Sequence, residues 1–451
     1  MNEMIAKAEQ ALLERQKLPE IFAAGLVRPS YDGLGLANIA ALTLELLCPD
    51  APSLNGHSTL PAFNPELLGV KSVTEAWQNW LGQAPIKNVV LLIMDALGYE
   101  QLKVLMSQGV TPRLAQACMK DQAFFMPGTS VFPSTTVTAL TSAATAVAPA
   151  QHGLINTHVY FQEVGSLVNL IGFRPSVTPT STSYLDTQLN PDTLLPVPNI
   201  YVLMEKAGID VEIINYHQFK HSSISRFTSA GSNAGTNGYF GYLTPADAFS
   251  QLRDRLLSKT TDSKSFTYVY IPNVDTFAHR YAPLSNNYRA EIAAIDFSLY
   301  RELFEPLAGR EDTVLIVTAD HGQRPVYADK IAWLNQHPKL TKNLFVPFTG
   351  GTQARNLHIN KGAEAAVFDY VLSHLQEQFL LVSKAEAIEL GLLGLAGENL
   401  SEASNNRVGD AVLIPKGDWV GLDDDTHKYA IGTHGGLSLA EMLIPFLAYR
   451  F

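Results

Sequence analysis

Three short stretches of the chain carry almost no polar side chains: Val89–Met94, Phe266–Ile271 and Thr313–Thr318. In the first, six apolar residues follow one another without alternation. Such a run predicts a strand covered on both faces, as in a parallel sheet. Asp95 follows the first run directly, Asp275 and His279 lie just past the second, and Asp320–His321 stand at the end of the third. An acid at the carboxyl end of a parallel strand is a common place for a metal ligand in an α/β enzyme. Helix capping explains any one of these acids. It explains all three together poorly.

Helical spacing of Ile5, Ala8, Leu12 and Leu13 predicts an amphipathic helix over residues 1–18. Further helices are predicted over Leu36–Leu47, Tyr99–Gln108, Thr111–Met119, Asn199–Ala207 and Ala363–Gln376. Another runs from Thr136 through small residues to Pro149 and Gly153. Thr244, Pro245 and Asp247 open a helix reaching Leu257, and Ser285 caps one reaching about Leu307. Ser383 with Glu386 reads as a capping box, and Ser438 with Glu441 opens the last helix. Ala123–Met126, Val159–Phe161, Val211–Ile214, Asn343–Phe348 and the end of residues 406–415 read as strands. Residues 172–198 read as loop, and Asp423–Asp425 as a solvated loop face. Residues 220–242, rich in Ser, Gly and Asn, suit a long surface loop, either over a site or as a plain linker.

Together these elements predict one large α/β core with a mostly parallel central sheet and helices on both faces. Residues 1–84 form an arm packed on that core. Residues 85–164 and 265–451 form the core itself, and residues 165–264 an inserted cap that is partly core. A chain of 451 residues with 46% hydrophobic side chains has ample material for this. Its net charge of −11 argues against stable nucleic-acid binding but leaves room for a small anionic substrate held by metal ions. Cys48 and Cys118 are the only cysteines, which rules out a disulfide scaffold or a cysteine-rich metal site. No apolar stretch is long enough for a spanning helix. The mixed-charge N-terminus is no secretory signal, so a cytoplasmic enzyme is expected, with a processed secreted form as the alternative.

Asp95, Asp275, His279, Asp320, His321 and the glycine-flanked His434 supply mixed oxygen and nitrogen ligation. That donor set suits zinc, and manganese less well. Six residues also suit two metals a few ångströms apart. His152 reads as a turn residue and His158 as a strand residue bonded to backbone. The remaining histidines lack a strand-end or glycine-flanked setting.

The ordered set MDALG, FPSTT…HG, VDTFAH, TADHG and GTHGG resembles the type I phosphodiesterase/nucleotide pyrophosphatase family of the alkaline phosphatase superfamily. The resemblance runs over Val89–Tyr160, Tyr268–Gln323 and roughly Arg407–Phe446. It implies an alkaline-phosphatase-like fold, two zinc ions (manganese as the alternative) and Thr136 as nucleophile. Asp95, Thr136, Asp320 and His321 would surround one metal, and Asp275, His279 and His434 the other. Thr135 is the rival by sequence alone, expected to be satisfied by a backbone carbonyl.

The implied reaction is hydrolysis of a phosphodiester or pyrophosphate bond through a phospho- or nucleotidyl-threonine. The alternatives are a phosphomonoesterase or phosphonate hydrolase, a phosphoryl transferase or mutase, and a catalytically silent binding protein. Better-known members follow their nucleophile with Phe-Pro-Asn-His, where this chain has Val137–Leu140. Their phosphoryl-binding asparagine falls at Thr157 here, with Asn156 just before it, and either residue is a candidate. Tyr160, Phe161, Tyr239, Phe240 and Tyr242 are the candidates for aromatic contact with a nucleotide-like substrate.

Overall fold

The computed structural model describes residues 3–22, 24–49, 59–176, 188–259, 263–423 and 431–451. His57, His427, Asp424 and Asp425 lie outside the described residues.

Seven strands form the central sheet, in the spatial order Ala123–Thr129, Leu443–Arg450, Thr313–Thr318, Asn88–Met94, Ser265–Ile271, Asp210–Tyr216, Tyr239–Tyr242. The Asn88–Met94 strand is buried along its whole length. It lies parallel between Ser265–Ile271 and Thr313–Thr318, with Met94 beside Ile271 and Ile93 beside Thr318. That in-register pairing ends all three strands at one edge. The chain segments carrying Asp95, Asp275 and Asp320 therefore emerge side by side. Burial on both faces is what the unbroken apolar runs demanded.

The Leu443–Arg450 strand runs antiparallel to both of its neighbours and departs from the sequence expectation. A proline is tolerated in a strand where its missing N–H is not needed for pairing. Here Pro445 faces Pro127, outside the Leu447–Arg450 stretch that pairs with Val314–Val317. The expected last helix shrinks to Leu439–Met442. Instead of capping a long helix, Glu441 accepts bonds from the Gly436 N–H (2.9 Å) and the Ser438 hydroxyl (2.5 Å).

Residues 165–264 contribute Asp210–Tyr216 and Tyr239–Tyr242 to the central sheet. The polar stretch 220–242 is ordered into a helix over Ser223–Thr228, capped by Ser222, and the Tyr239–Tyr242 strand. A separate four-stranded antiparallel sheet lies later in the chain: Thr349–Gly351, Ala354–Leu357, Ala411–Pro415 and Phe379–Ser383. It has an apolar cluster of its own that includes Leu357, Val367, Val371 and Leu413. Asn343–Phe348 is not a strand; only Leu344 forms a bridge, to Ile359.

The Leu36–Leu47 helix of the N-terminal arm is buried except at Glu45 and Leu46 and packs on the Thr136–Thr145 helix. Small side chains on the latter permit close approach. Thr141 and Thr145 hydroxyls donate back to Val137 O (2.6 Å) and Thr141 O (2.7 Å), which removes their hydrogen-bonding demand.

Leu92 is fully buried in the central strand, whereas Leu372 is 65% exposed. Leu92→Ala is expected to destabilise the protein by about 2–5 kcal/mol, and Leu372→Ala by less than about 0.5 kcal/mol. Urea unfolding followed by circular dichroism measures both; equal shifts would contradict the assigned core.

Candidate active site

The turn after the central strand begins at Asp95 and passes through Ala96, whose φ is +60°. That backbone lets the Ala96 N–H donate to Asp320 Oδ1 at 3.1 Å, while the His321 N–H donates to the same oxygen at 2.9 Å. Asp320 is thereby aimed with its other oxygen free. On the far side, the Tyr270 hydroxyl donates to Asp95 Oδ2. Gly322 has to be glycine: a Cβ there would collide with the Ala440 carbonyl.

Asp275 stands in the first turn of the Asn273–Tyr281 helix and His279 in its last. The four-residue spacing brings His279 Nε2 to 3.2 Å from Asp275 Oδ1. His434 arrives from the glycine-flanked turn, its Nε2 at 3.7 Å from the same oxygen. His321 Nε2 lies 3.2 Å from Asp320 Oδ2 and 3.5 Å from Asp95 Oδ1. All six sequence-predicted ligands thus come together.

The hydrogen bonds of the three imidazoles define their tautomers. Nδ1 of His279, His321 and His434 faces the carbonyls of Gly432 (2.8 Å), Gly322 (3.1 Å) and Ser134 (2.9 Å). Each Nδ1–H donates to backbone, which turns Nε2 toward the carboxylates. This is the outer-shell arrangement that metal-binding histidines use.

Charge balance makes the same point. Burial, then repulsion from Asp320 and Asp275, pushes the Asp95 carboxyl far above its ordinary range. Burial raises Asp320 to about 6. Burial would raise Asp275 as well, but His279, His434 and His321 outweigh it and hold its carboxyl low. Burial lowers His321 to about 4, and burial together with His321 lowers His434 to about 3, so both are neutral at pH 7. His279 is raised by Asp275 against the opposing effect of burial. Asp95 Oδ1 and Asp320 Oδ2 are buried without hydrogen-bond partners. Orphaned carboxylate oxygens facing neutral imidazole lone pairs fit a divalent cation. The ligand atoms of Asp275, His279 and His434 lie within 4.8 Å of one another, as do those of Asp95, Asp275 and His321.

Thr136 opens the Thr136–Thr145 helix. Its Oγ1 lies 3.3 Å from His321 Nε2. Thr135 instead pairs with the Thr138 hydroxyl at 3.1 Å, not with the expected backbone carbonyl. Two cavities meet at Thr136, Ile171 and Asp275. The larger, about 280 Å³, lies on the Asp95 side and is walled by aromatic residues. The smaller, about 180 Å³, lies on the His279 side and includes Thr157, His158, Thr352 and Leu422.

Asn156 and Thr157 separate clearly. Asn156 is fully buried at φ +82°. Its amide donates to Ala354 O at 3.0 Å and its side-chain oxygen accepts the Thr157 N–H at 2.9 Å, so it anchors the antiparallel sheet. Thr157 lines the smaller cavity beside Thr136. His158 also lines it, with Nε2 3.0 Å from the Asn169 amide nitrogen.

Of the aromatic candidates, Tyr239 reaches the larger cavity. Phe161 and Phe240 lie under Arg407 and Arg255, Tyr160 meets Phe345 and His358, and Tyr242 donates to Tyr270 O. Sequence reasoning missed Tyr270 and also Gln323, whose amide donates to Asp275. One signal for Tyr270 was present: Tyr268 and Tyr270 are two apart on a strand that ends at the ligand-bearing turn, so they share a face.

The fold and site define a metal-dependent α/β hydrolase. The sequence model of the type I phosphodiesterase / nucleotide pyrophosphatase family matches residues 89–437, and the chain belongs to that family. It is therefore an enzyme that hydrolyses phosphorus esters with the help of metal ions. Murine ectonucleotide pyrophosphatase / phosphodiesterase 5 is similar in fold at 16% identity, with a TM-score of 0.58 over 80% of this chain and 87% of that one. Phosphonoacetate hydrolase from Sinorhizobium meliloti 1021, solved with phosphonoformate, is 19% identical, with a TM-score of 0.58 over 81% of this chain and 91% of that one. Among curated proteins, GPI ethanolamine phosphate transferase 1 of Gibberella zeae is 24% identical over 160 residues. That match spans 34% of this chain and 16% of the transferase.

The raised Asp320 carboxyl has a measurable consequence in metal-free protein. Its folded value of about 6 lies above the ordinary 3.8. Its stabilising contribution is complete below the unfolded value and is lost as pH rises through about 6. Asp320→Asn keeps the acceptor for Ala96 and His321 but removes this titration. After chelation, the melting temperature of the variant relative to the parent should rise between pH 4 and pH 7. A difference that is flat or falls with pH would contradict the crowded-carboxylate description.

Proposed function

We propose that the chain hydrolyses a phosphodiester or pyrophosphate bond through a covalent phospho- or nucleotidyl-threonine at Thr136. Two zinc ions are the expected metals, with manganese as the alternative. Asp95, Asp320 and His321 would hold one ion next to Thr136, and Asp275, His279 and His434 the other. When bound, the ions supply Lewis acidity at the threonine hydroxyl and at the leaving oxygen.

The observation that carries this reading is the place of Thr136: at the first position of a helix, beside the His321 imidazole, where the two cavities join. A phosphorus centre seated there has a cavity on either side for the two groups it joins. Thr136 Oγ1 forms the new P–O bond while the bond to the departing oxygen breaks, the electron pair leaving with that oxygen. The free N–H groups in the first turn of the Thr136 helix favour the phosphoryl oxygens. Thr157, which lines the smaller cavity, would donate to one of them, whereas Asn156 is committed to the Ala354 carbonyl. Water then attacks the phosphothreonine and releases Thr136 for another cycle.

Thr136→Ala should lower hydrolysis of bis-p-nitrophenyl phosphate by roughly 10³-fold or more, with metal content unchanged by elemental analysis. Acid-quenched parent enzyme should carry phosphorus on the peptide containing Thr136. Parent-like turnover by the alanine variant would remove Thr136 from this role.

A further inference from the structure

Glu441 is 1% exposed, yet it lines neither cavity beside Thr136. A buried carboxylate is costly unless its oxygens are bonded. Here both have partners: Oε1 accepts the Gly436 N–H (2.9 Å) and Oε2 the Ser438 hydroxyl (2.5 Å). The nearby Arg324 guanidinium is bonded to Asp418 instead, at 2.9 Å. The carboxylate fits closely against the turn, since a Cβ at Gly436 would stand 3.0 Å from Oε2.

Gly436 lies two residues past His434, and reciprocal bonds join their turn to the segment before Thr136. The Ser134 hydroxyl donates to Gly436 O at 2.8 Å, and the Ser134 carbonyl accepts the His434 Nδ1–H at 2.9 Å. The backbone at Glu441 reaches the other half of the site. Its carbonyl accepts the Gly322 N–H at 2.8 Å, beside His321, and the Met442 carbonyl accepts the Ser130 N–H at 2.7 Å. The Ser130 hydroxyl in turn donates to the Asp320 carbonyl.

We infer that Glu441 is a positioning residue whose carboxylate fixes the His434 turn, and with it the binding of the ion assigned to Asp275, His279 and His434. The inference rests on the proposed assignment of that ion and deepens it. Outer-shell partners of metal-binding side chains typically contribute ~10–100-fold in affinity. Reach, rather than charge, is what the geometry requires. Glutamine at 441 can still accept the Gly436 N–H, and its amide can donate to the Ser438 hydroxyl. Aspartate keeps the charge but is one methylene short. Alanine leaves the buried Gly436 N–H without its acceptor.

The test measures zinc binding to the full chain by competition with a chromophoric chelator. The parent is expected to bind two ions. Glu441→Ala and Glu441→Asp should each weaken one of them by at least ~10-fold and leave the other near its parent affinity, whereas Glu441→Gln should stay near the parent for both. Val371→Ala, buried in the separate apolar cluster, is the stability control: its melting temperature should fall with both affinities unchanged. The visible spectrum of cobalt-loaded protein should change in Glu441→Asp and match the parent in Glu441→Gln. Parent-like affinity for both ions in folded Glu441→Ala overturns the inference, as does equal affinity in the aspartate and glutamine variants or an equal loss in Val371→Ala. Should Glu441→Ala fail to fold, the comparison of aspartate with glutamine decides. Each of these outcomes leaves the paired-ion reading standing. A parent that binds fewer than two ions overturns that reading, and the inference with it.

Discussion

Mutual repulsion among Asp95, Asp275 and Asp320 is the constraint on which the rest of the site depends. Three parallel strands end in register, so three carboxyl-bearing turns meet, Asp95 and Asp320 buried and Asp275 open to the cavities. Such crowding is unfavourable unless protons or cations compensate it. The surroundings favour a cation. Two imidazoles, His321 and His434, are held neutral, and two carboxylate oxygens have no hydrogen-bond partner.

The scaffold holds this arrangement through backbone. Carbonyls of Ser134, Gly322 and Gly432 orient the imidazoles. The Ala96 N–H orients Asp320, and Tyr270 and Gln323 hold Asp95 and Asp275. Glu441 ties the Gly436 end of the His434 turn to the start of the last strand. The two cavities then differ by origin. Residues on 201–239 and the Tyr268–Tyr270 strand wall the larger one. Gly351, Thr352, Val420 and Leu422, around the antiparallel sheet, wall the smaller. Phosphorus-ester chemistry can therefore sit between walls drawn from different parts of the chain.

Much of this was legible before any fold was known. Val89–Met94 and Thr313–Thr318 announced buried parallel strands because neither alternates, and both form. Ser383 with Glu386 formed the capping box its spacing implied. The failures have definite causes. Ser438 and Glu441 promised a last helix, but it stops at Met442 and a strand follows, because pairing with the neighbouring strands cannot be read along the chain. Residues 220–242 looked like loop, because their polar side chains cap a short helix and line a cavity. Asn156 looked as suitable as Thr157 until its amide was seen to be occupied by Ala354.

By itself, the sequence determined the strand-end acids, the histidines that accompany them and the helix-opening threonine. Those features follow from local periodicity and from residue type. Only the tertiary structure decided that Asp95, Asp275 and Asp320 share one cluster, and that Thr136 rather than Thr135 faces both cavities. These depend on strand register and on contacts between residues far apart in the chain. Neither is encoded in any single segment.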